Sequence, residues 1–194
     1  PATSRLFQAF FKAVQQAGHP LTDDVNGYRQ EGFNAFDRNI HRGRRLSAAR
    51  AYLHPVLNRP NLEVVTRAQA TRILFEGTRA VGVEHQRRGR RTRSVARAAE
   101  VILCGGAINT PHLLQLSGIG PAAVLADAGV EQLVDLPGVG ENLQDHLEVY
   151  VQYACTKPVS MAPYLAMWRR PWVGLQWLFR RGPGATNHFE AGGF

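Results

Sequence analysis

Residues 4–17 carry Leu6, Phe7, Phe10, Phe11 and Val14 at helical spacing, and Gly18 and Pro20 stop the run. Residues 20–46 break that rhythm. They are polar, rich in Gly, Asn, Asp and Arg, and predict an ordered loop. Ser47 is placed to cap a short helix through Leu57, which Pro60-Asn61 punctuates. From 62 to 104 the period falls to two. Residues 62–65, 71–77, 80–86, 92–98 and 100–105 predict successive strands, with turns at Gly77-Thr78 and at 87–90. The stretch 101–104 is wholly apolar, which suits a strand covered on both faces, as in a parallel α/β sheet. Thr110-Pro111 predicts the start of a helix, Pro being tolerated where no N–H is needed. A second helix spans about 122–128 and ends at Gly129, and 130–137 reads as a short strand. Alternation returns at 148–155, and residues 160–181 form an aromatic, Arg-rich helical stretch. There is no internal repeat.

Composition narrows the class. The 194 residues are 44% hydrophobic and 20% charged, which fits a packed globular chain and argues against disorder. No run of about 18 apolar residues occurs, which excludes a membrane-spanning helix. Cys104 and Cys155 form neither a metal spacing nor a disulfide framework, so a reducing compartment is expected. The formal charge is +8, and Lys12 and Lys157 are the only lysines. Such a balance serves an anionic partner or reflects an arginine bias, and the second is the plainer reading. The chain starts at Pro1 and stops at Phe194 after a Gly-Gly pair, so an internal piece of a longer protein is expected.

The chemistry-bearing signals are few. An apolar stretch runs into Gly105-Gly106 and then into a helix start. Glycines allow close backbone approach, and a helix N-terminus favours negative charge. That pattern serves a phosphate or dinucleotide, or simply a tight turn. Gly118-Ile-Gly120-Pro-Ala-Ala123 matches a dinucleotide fingerprint in letters only, because it follows a helix instead of a strand. Arg87, Arg88, Arg90, Arg91 and Arg93 crowd seven positions between two alternating strands. A nucleic-acid binder would use them on phosphates. No aromatic residue interleaves them, so a solvated hairpin turn is preferred and no nucleic-acid partner is expected. The histidines show no shared ligand spacing, and no metal is assigned. Glu190 reads on its own as a surface glutamate. Tyr164, Trp168, Trp172, Trp177 and Phe179 have near-helical spacing, which reads as packing.

The whole segment 105–120, Gly-Gly-Ala-Ile-Asn-Thr-Pro-His-Leu-Leu-Gln-Leu-Ser-Gly-Ile-Gly, resembles the second signature of the glucose–methanol–choline oxidoreductase family. Residues 136–146 (LPGVGENLQDH), 44–53 (RRLSAARAYL) and 59–65 (RPNLEVV) are similar to it as well. Residues 22–33 and 187–194 (NHFEAGGF) carry a narrower likeness, to members that oxidise choline. The likeness covers essentially the whole chain.

The resemblance implies an α/β (mixed α+β) architecture. It would comprise part of a Rossmann-like FAD-binding domain with an antiparallel β-meander, and the start of an α+β substrate-binding domain. Residues 1–45 would pack at the interface of the two, 46–147 would belong to the FAD domain and 148–194 would begin the substrate domain. FAD is the implied cofactor. Val65, Gly105, Gly106, Asn142, Leu143, Gln144, Asp145 and His146 are the implied cofactor contacts, and Glu190 is the implied carboxylate facing a trimethylammonium group. A quaternary ammonium offers no N–H donor, so a carboxylate and aromatic faces are what can recognise it.

The implied reaction is oxidation of a primary alcohol by hydride transfer to flavin, choline to betaine aldehyde foremost. Another alcohol-oxidising member of the family and a basic nucleic-acid-binding module remain as alternatives. The electron acceptor stays open, the respiratory chain being one candidate. The implied setting is cytoplasmic or peripheral at the inner membrane face. The family's N-terminal dinucleotide fingerprint and its C-terminal catalytic histidine have no counterpart in these residues, so no catalytic residue is assigned and catalysis by this piece alone is not expected.

Overall fold

The computed structural model describes residues 5–186 and 188–194. The chain is mixed α/β with mostly antiparallel pairing, and it divides into two compact units. One unit joins the chain up to Leu62 with Val151–Phe194; the other is Glu63–Tyr150.

The first unit opens with α1 (Arg5–Gln16), the helix read from the Leu6–Val14 spacing. It ends in two reverse bonds, His19 N–H to Val14 O at 3.1 Å and Gly18 N–H to Gln15 O at 3.0 Å, with Gly18 at φ +82. That closure satisfies the last carbonyls and requires a left-handed residue, which glycine adopts without a Cβ penalty. Phe10 meets Phe33 edge-on, with ring centroids 5.8 Å apart. The predicted loop over 20–46 contains three short strands: β1 (Phe33–Ala35), β2 (Ile40–His41) and β3 (Arg44–Arg45). Arg42 and Gly43 both have positive φ between β2 and β3, the geometry of a two-residue hairpin turn. Beyond Ser47, a π turn (Ala49–Leu53) and a 3₁₀ turn (His54–Val56) replace the expected α-helix, and the Ser47 hydroxyl accepts the Arg50 N–H at 3.3 Å.

The second unit is built on a three-stranded antiparallel meander, β4 (Ala68–Glu76), β5 (Arg79–Arg87) and β6 (Arg93–Arg97). The two predicted turns join them. Helix α2 runs Gly106–Leu116. It is followed by β7 (Ile119–Gly120), α3 (Ala122–Asp127) and β8 (Val134–Asp135), with β7 and β8 paired in parallel across the short helix. Leu125, 1% exposed, fills that crossover. Ser117, at the end of α2, is 2% exposed and joins α2 to the meander.

Back in the first unit, α4 (Ala162–Leu165) and α5 (Arg170–Leu178) fall within the predicted helical stretch, separated by a 3₁₀ turn at Met167–Arg169. The last element, β9 (Ala191–Gly193), pairs antiparallel with β1, so Phe33 lies opposite Gly193. A Cβ at Gly192 or Gly193 would collide with the Phe36 or Phe33 ring, which is why two glycines stand in this strand.

Four readings are corrected. Residues 62–65 and 100–105 form no strand, because no described segment pairs with them, and Ile102 is 78% exposed. A strand exists only with a ladder partner, which local alternation cannot supply. Residues 148–155 are likewise extended and unpaired, with Tyr153 88% exposed. Helix α2 starts at Gly106 instead of Thr110, leaving Pro111 inside it. Trp168, Trp172 and Phe179 are exposed instead of packed, although the Arg169 guanidinium lies over the Trp168 ring, 4.4 Å from its centroid. No helix among the described residues is long and apolar enough to cross a membrane.

Candidate functional site

The residues implied as cofactor contacts all lie in the Glu63–Tyr150 unit. The glycine pair has two separate local reasons. At Gly105 a Cβ would press within 3.2 Å of Asn109 and of the Thr110 backbone N, tighter than ordinary contact, so the helix itself leaves little room. At Gly106 nothing lies within 4 Å, but φ is +82, a conformation side-chain-bearing residues rarely adopt. The result is a backbone turn with an open outer face at the head of α2. The first-turn N–H groups there have no intrahelical acceptor. A turn of that kind fits a flat or anionic group laid against the main chain.

Asn142, Leu143, Gln144, Asp145 and His146 form an exposed stretch without regular structure. Asn142 has φ +56, a region asparagine tolerates better than most residues. The Asp145 carboxylate accepts the His146 N–H at 2.7 Å, which fixes the local backbone. Val65 is half-buried. A cavity of about 1050 Å³ lies between the meander, residues 101–105 and α2. Among the described residues its wall includes Gly105, Asn109 and Thr110, with Arg67, Arg87, Arg88 and Arg90 on the rim, and it includes neither Val65, Gly106 nor residues 142–146.

The arginine-rich turn between β5 and β6 is solvated, as read from the sequence. Two neighbouring carboxylates temper it. Arg93 lies 2.9 Å from Glu84, and Arg97 lies 3.6 Å from Glu76. The Glu84 carboxyl is held below its ordinary value, first by the Thr71 hydroxyl that donates to it at 2.7 Å and then by Arg93.

Glu190 belongs to the other unit, directly before β9, and is not a surface residue: it is 5% exposed. Its backbone carbonyl accepts the Phe36 N–H at 3.0 Å, so the β1–β9 pairing fixes its place. Its Oε1 accepts two hydrogen bonds, from Arg38 Nη1 at 2.7 Å and from the Thr186 hydroxyl at 2.5 Å. Arg38 also donates to the Thr186 oxygen at 3.0 Å, which closes a triangle. Asn187, first residue of the block that carries Glu190, lies outside the described residues.

Arg38 and Thr186 escaped sequence reading. Arg38 falls between the quoted blocks and Thr186 just before residue 187, and Glu190 read as exposed or as facing a ligand cation gives no reason to look for an arginine. The usable signal was burial, since a buried carboxylate requires a partner.

Comparison with known proteins supplies the context. The model of the GMC oxidoreductase family matches residues 1–148. A protein of Staphylococcus haemolyticus described as an oxygen-dependent choline dehydrogenase is 57% identical over 100% of this chain and 34% of its own length. The chain thus spans about a third of the curated relatives it matches. A formate oxidase variant from Aspergillus oryzae RIB40 superposes with a TM-score of 0.82 at 28% identity, over 97% of this chain and 33% of that one. A pyridoxine 4-oxidase from Mesorbium loti is 36% identical, with a TM-score of 0.65, over 71% of this chain and 27% of its own.

Proposed function

Because the chain belongs to the GMC oxidoreductase family, we propose that it is part of an FAD-dependent enzyme that oxidises a primary alcohol, choline foremost, to the aldehyde. The observation that carries the choline reading is the likeness of the entire chain to the staphylococcal choline dehydrogenase. FAD, when bound, accepts the hydride from the carbinol carbon.

This chain's own part is binding and orientation. Residues 46–147 contribute to the cofactor domain and 148–194 open the substrate domain. Gly105 and Gly106 present bare main chain to the cofactor, and the first turn of α2 places N–H donors where negative charge is favoured. Val65 and residues 142–146 add contacts along the same cofactor. Glu190 supplies the carboxylate for the fixed positive charge of choline, in a buried setting where Coulomb attraction is stronger than in water. The exposed Trp172 offers an aromatic face of the kind a quaternary ammonium favours.

The test uses the full-length protein that contains this chain. It should purify with bound flavin, and choline added without oxygen should bleach the oxidised flavin band. Bleaching by another primary alcohol but not by choline would assign a sibling activity. A colourless protein that takes up no FAD would end the proposal.

A further inference from the structure

The Arg38–Thr186–Glu190 triangle ties the carboxylate of the 187–194 block to two residues outside the quoted motifs, and Arg38 and Glu190 are separated by 152 positions. Its side chains are sheltered, Arg38 at 20% and Glu190 at 6% exposure. A buried ion pair contributes little net stability compared with apolar residues of equal volume, so stability is a weak reason for one. Geometry is a stronger reason. Two donors converge on the same oxygen, Oε1, and the donors are bonded to each other. A carboxylate pinned at one oxygen in this way cannot swing about its terminal torsion without breaking charge-assisted bonds, which are the stronger class. The backbone of Glu190 is held at the same time by Phe36.

We propose that Arg38 is a positioning residue for substrate specificity: through Oε1, and with Thr186, it sets the direction in which the Glu190 carboxylate meets a quaternary ammonium substrate. This rests on the reading that the full-length enzyme oxidises choline. Arg38 itself touches neither substrate nor cofactor. Its effect is to make the enzyme prefer a cationic alcohol over an uncharged one of the same shape.

The measurement is kcat/KM, per bound flavin, for choline and for the isostere 3,3-dimethylbutan-1-ol, in the full-length enzyme. The readout is the ratio of the two. Glu190→Gln should lower that ratio about tenfold or more. Arg38→Met should lower it roughly fivefold or more, and Arg38→Lys, which keeps a cationic donor, should recover most of the loss. A purely structural role would depress both alcohols together and leave the ratio unchanged; that result in Arg38→Met overturns the proposal. A ratio that rises in Arg38→Met would mean the guanidinium only attenuates the carboxylate, and would overturn it as well. If Arg38→Met does not accumulate as a flavoprotein, Thr186→Val decides. It removes the second donor to Oε1 and should lower the ratio about threefold, and an unchanged ratio overturns the proposal. A ratio unaffected by Glu190→Gln, or an enzyme that does not turn over choline, would instead sink the reading on which the proposal rests.

Discussion

The Ser117 hydroxyl at the end of α2 accepts the backbone N–H of Ile73 in β4 at 2.9 Å while donating to the Leu113 carbonyl at 2.6 Å. One side chain therefore ends a helix and satisfies a strand donor. Both residues are nearly fully buried, Ser117 at 2% and Ile73 at 3% exposure. The bond falls beside a bulge in β4, where the ladder with β5 shifts register between Ala70 and Arg72.

Ser117→Ala removes the acceptor and leaves the Ile73 N–H buried without a partner. The expected cost is about 1–3 kcal/mol. Urea unfolding of the full-length protein, followed by a probe in the Glu63–Tyr150 unit, measures it. A change below a few tenths of a kcal/mol would show that water replaces the hydroxyl.

Gly118 is the next residue, with φ +86, and a Cβ there would sit 2.6 Å from the Glu131 carbonyl oxygen. Its own carbonyl accepts the N–H groups of Leu133 and Val134 at the head of the parallel β7–β8 pair. Gly118→Ala therefore combines backbone strain with a backbone clash, and a loss of roughly 2 kcal/mol or more is expected. A melting temperature equal to that of the unsubstituted protein would contradict the close approach.

Gly106→Ala tests the proposed cofactor turn. The Cβ itself meets no atom, so any effect comes from forcing the residue out of φ +82 and moving the main chain at the head of α2. Flavin retention should weaken by roughly tenfold, taking a strain of one to two kcal/mol. The flavin-to-protein absorbance ratio after gel filtration reports it, and a normal ratio would remove Gly106 from the site.

Glu84 carries a pH prediction. Its carboxyl is depressed below 4.5, first by the Thr71 hydroxyl and then by Arg93, so it binds its proton more weakly folded than unfolded. The stability from these contacts is complete above the unfolded value and is lost as the pH falls through the lowered folded one. Thr71→Val should move the Glu84 titration upward, leaving the part due to Arg93. Carbon-detected NMR of the carboxyl follows it, and an unmoved titration would show that the hydroxyl donates elsewhere.

Local features were legible in the sequence and distant pairings were not. The meander was readable because alternation, Gly77-Thr78 and the arginine turn are all properties of neighbouring residues. Helix α1 was readable for the same reason. Residues 101–104 have the composition of a covered strand, yet whether they form one depends on a neighbour that composition does not specify. The β1–β9 pair went unread because neither three-residue segment carries a pattern of its own. In the candidate site the glycine turn was visible as letters, whereas the partner of Glu190 depends on a meeting of remote segments that no spacing encodes.

The β1–β9 pair has a consequence for the order in which the chain folds. Phe33 finds its partner only at Gly193, so the β1–β9 pair cannot close until the ribosome has passed residue 193. The second unit needs no such wait, since its hairpins close between adjacent strands as they emerge. At ordinary elongation rates the N-terminal segment stays without its sheet partner for roughly ten seconds. During that interval the Phe33 ring keeps its local contacts with Phe10 and His19 while its strand lacks the β9 partner. Slower translation across residues 63–150 would lengthen that exposure and favour capture by chaperones over spontaneous closure.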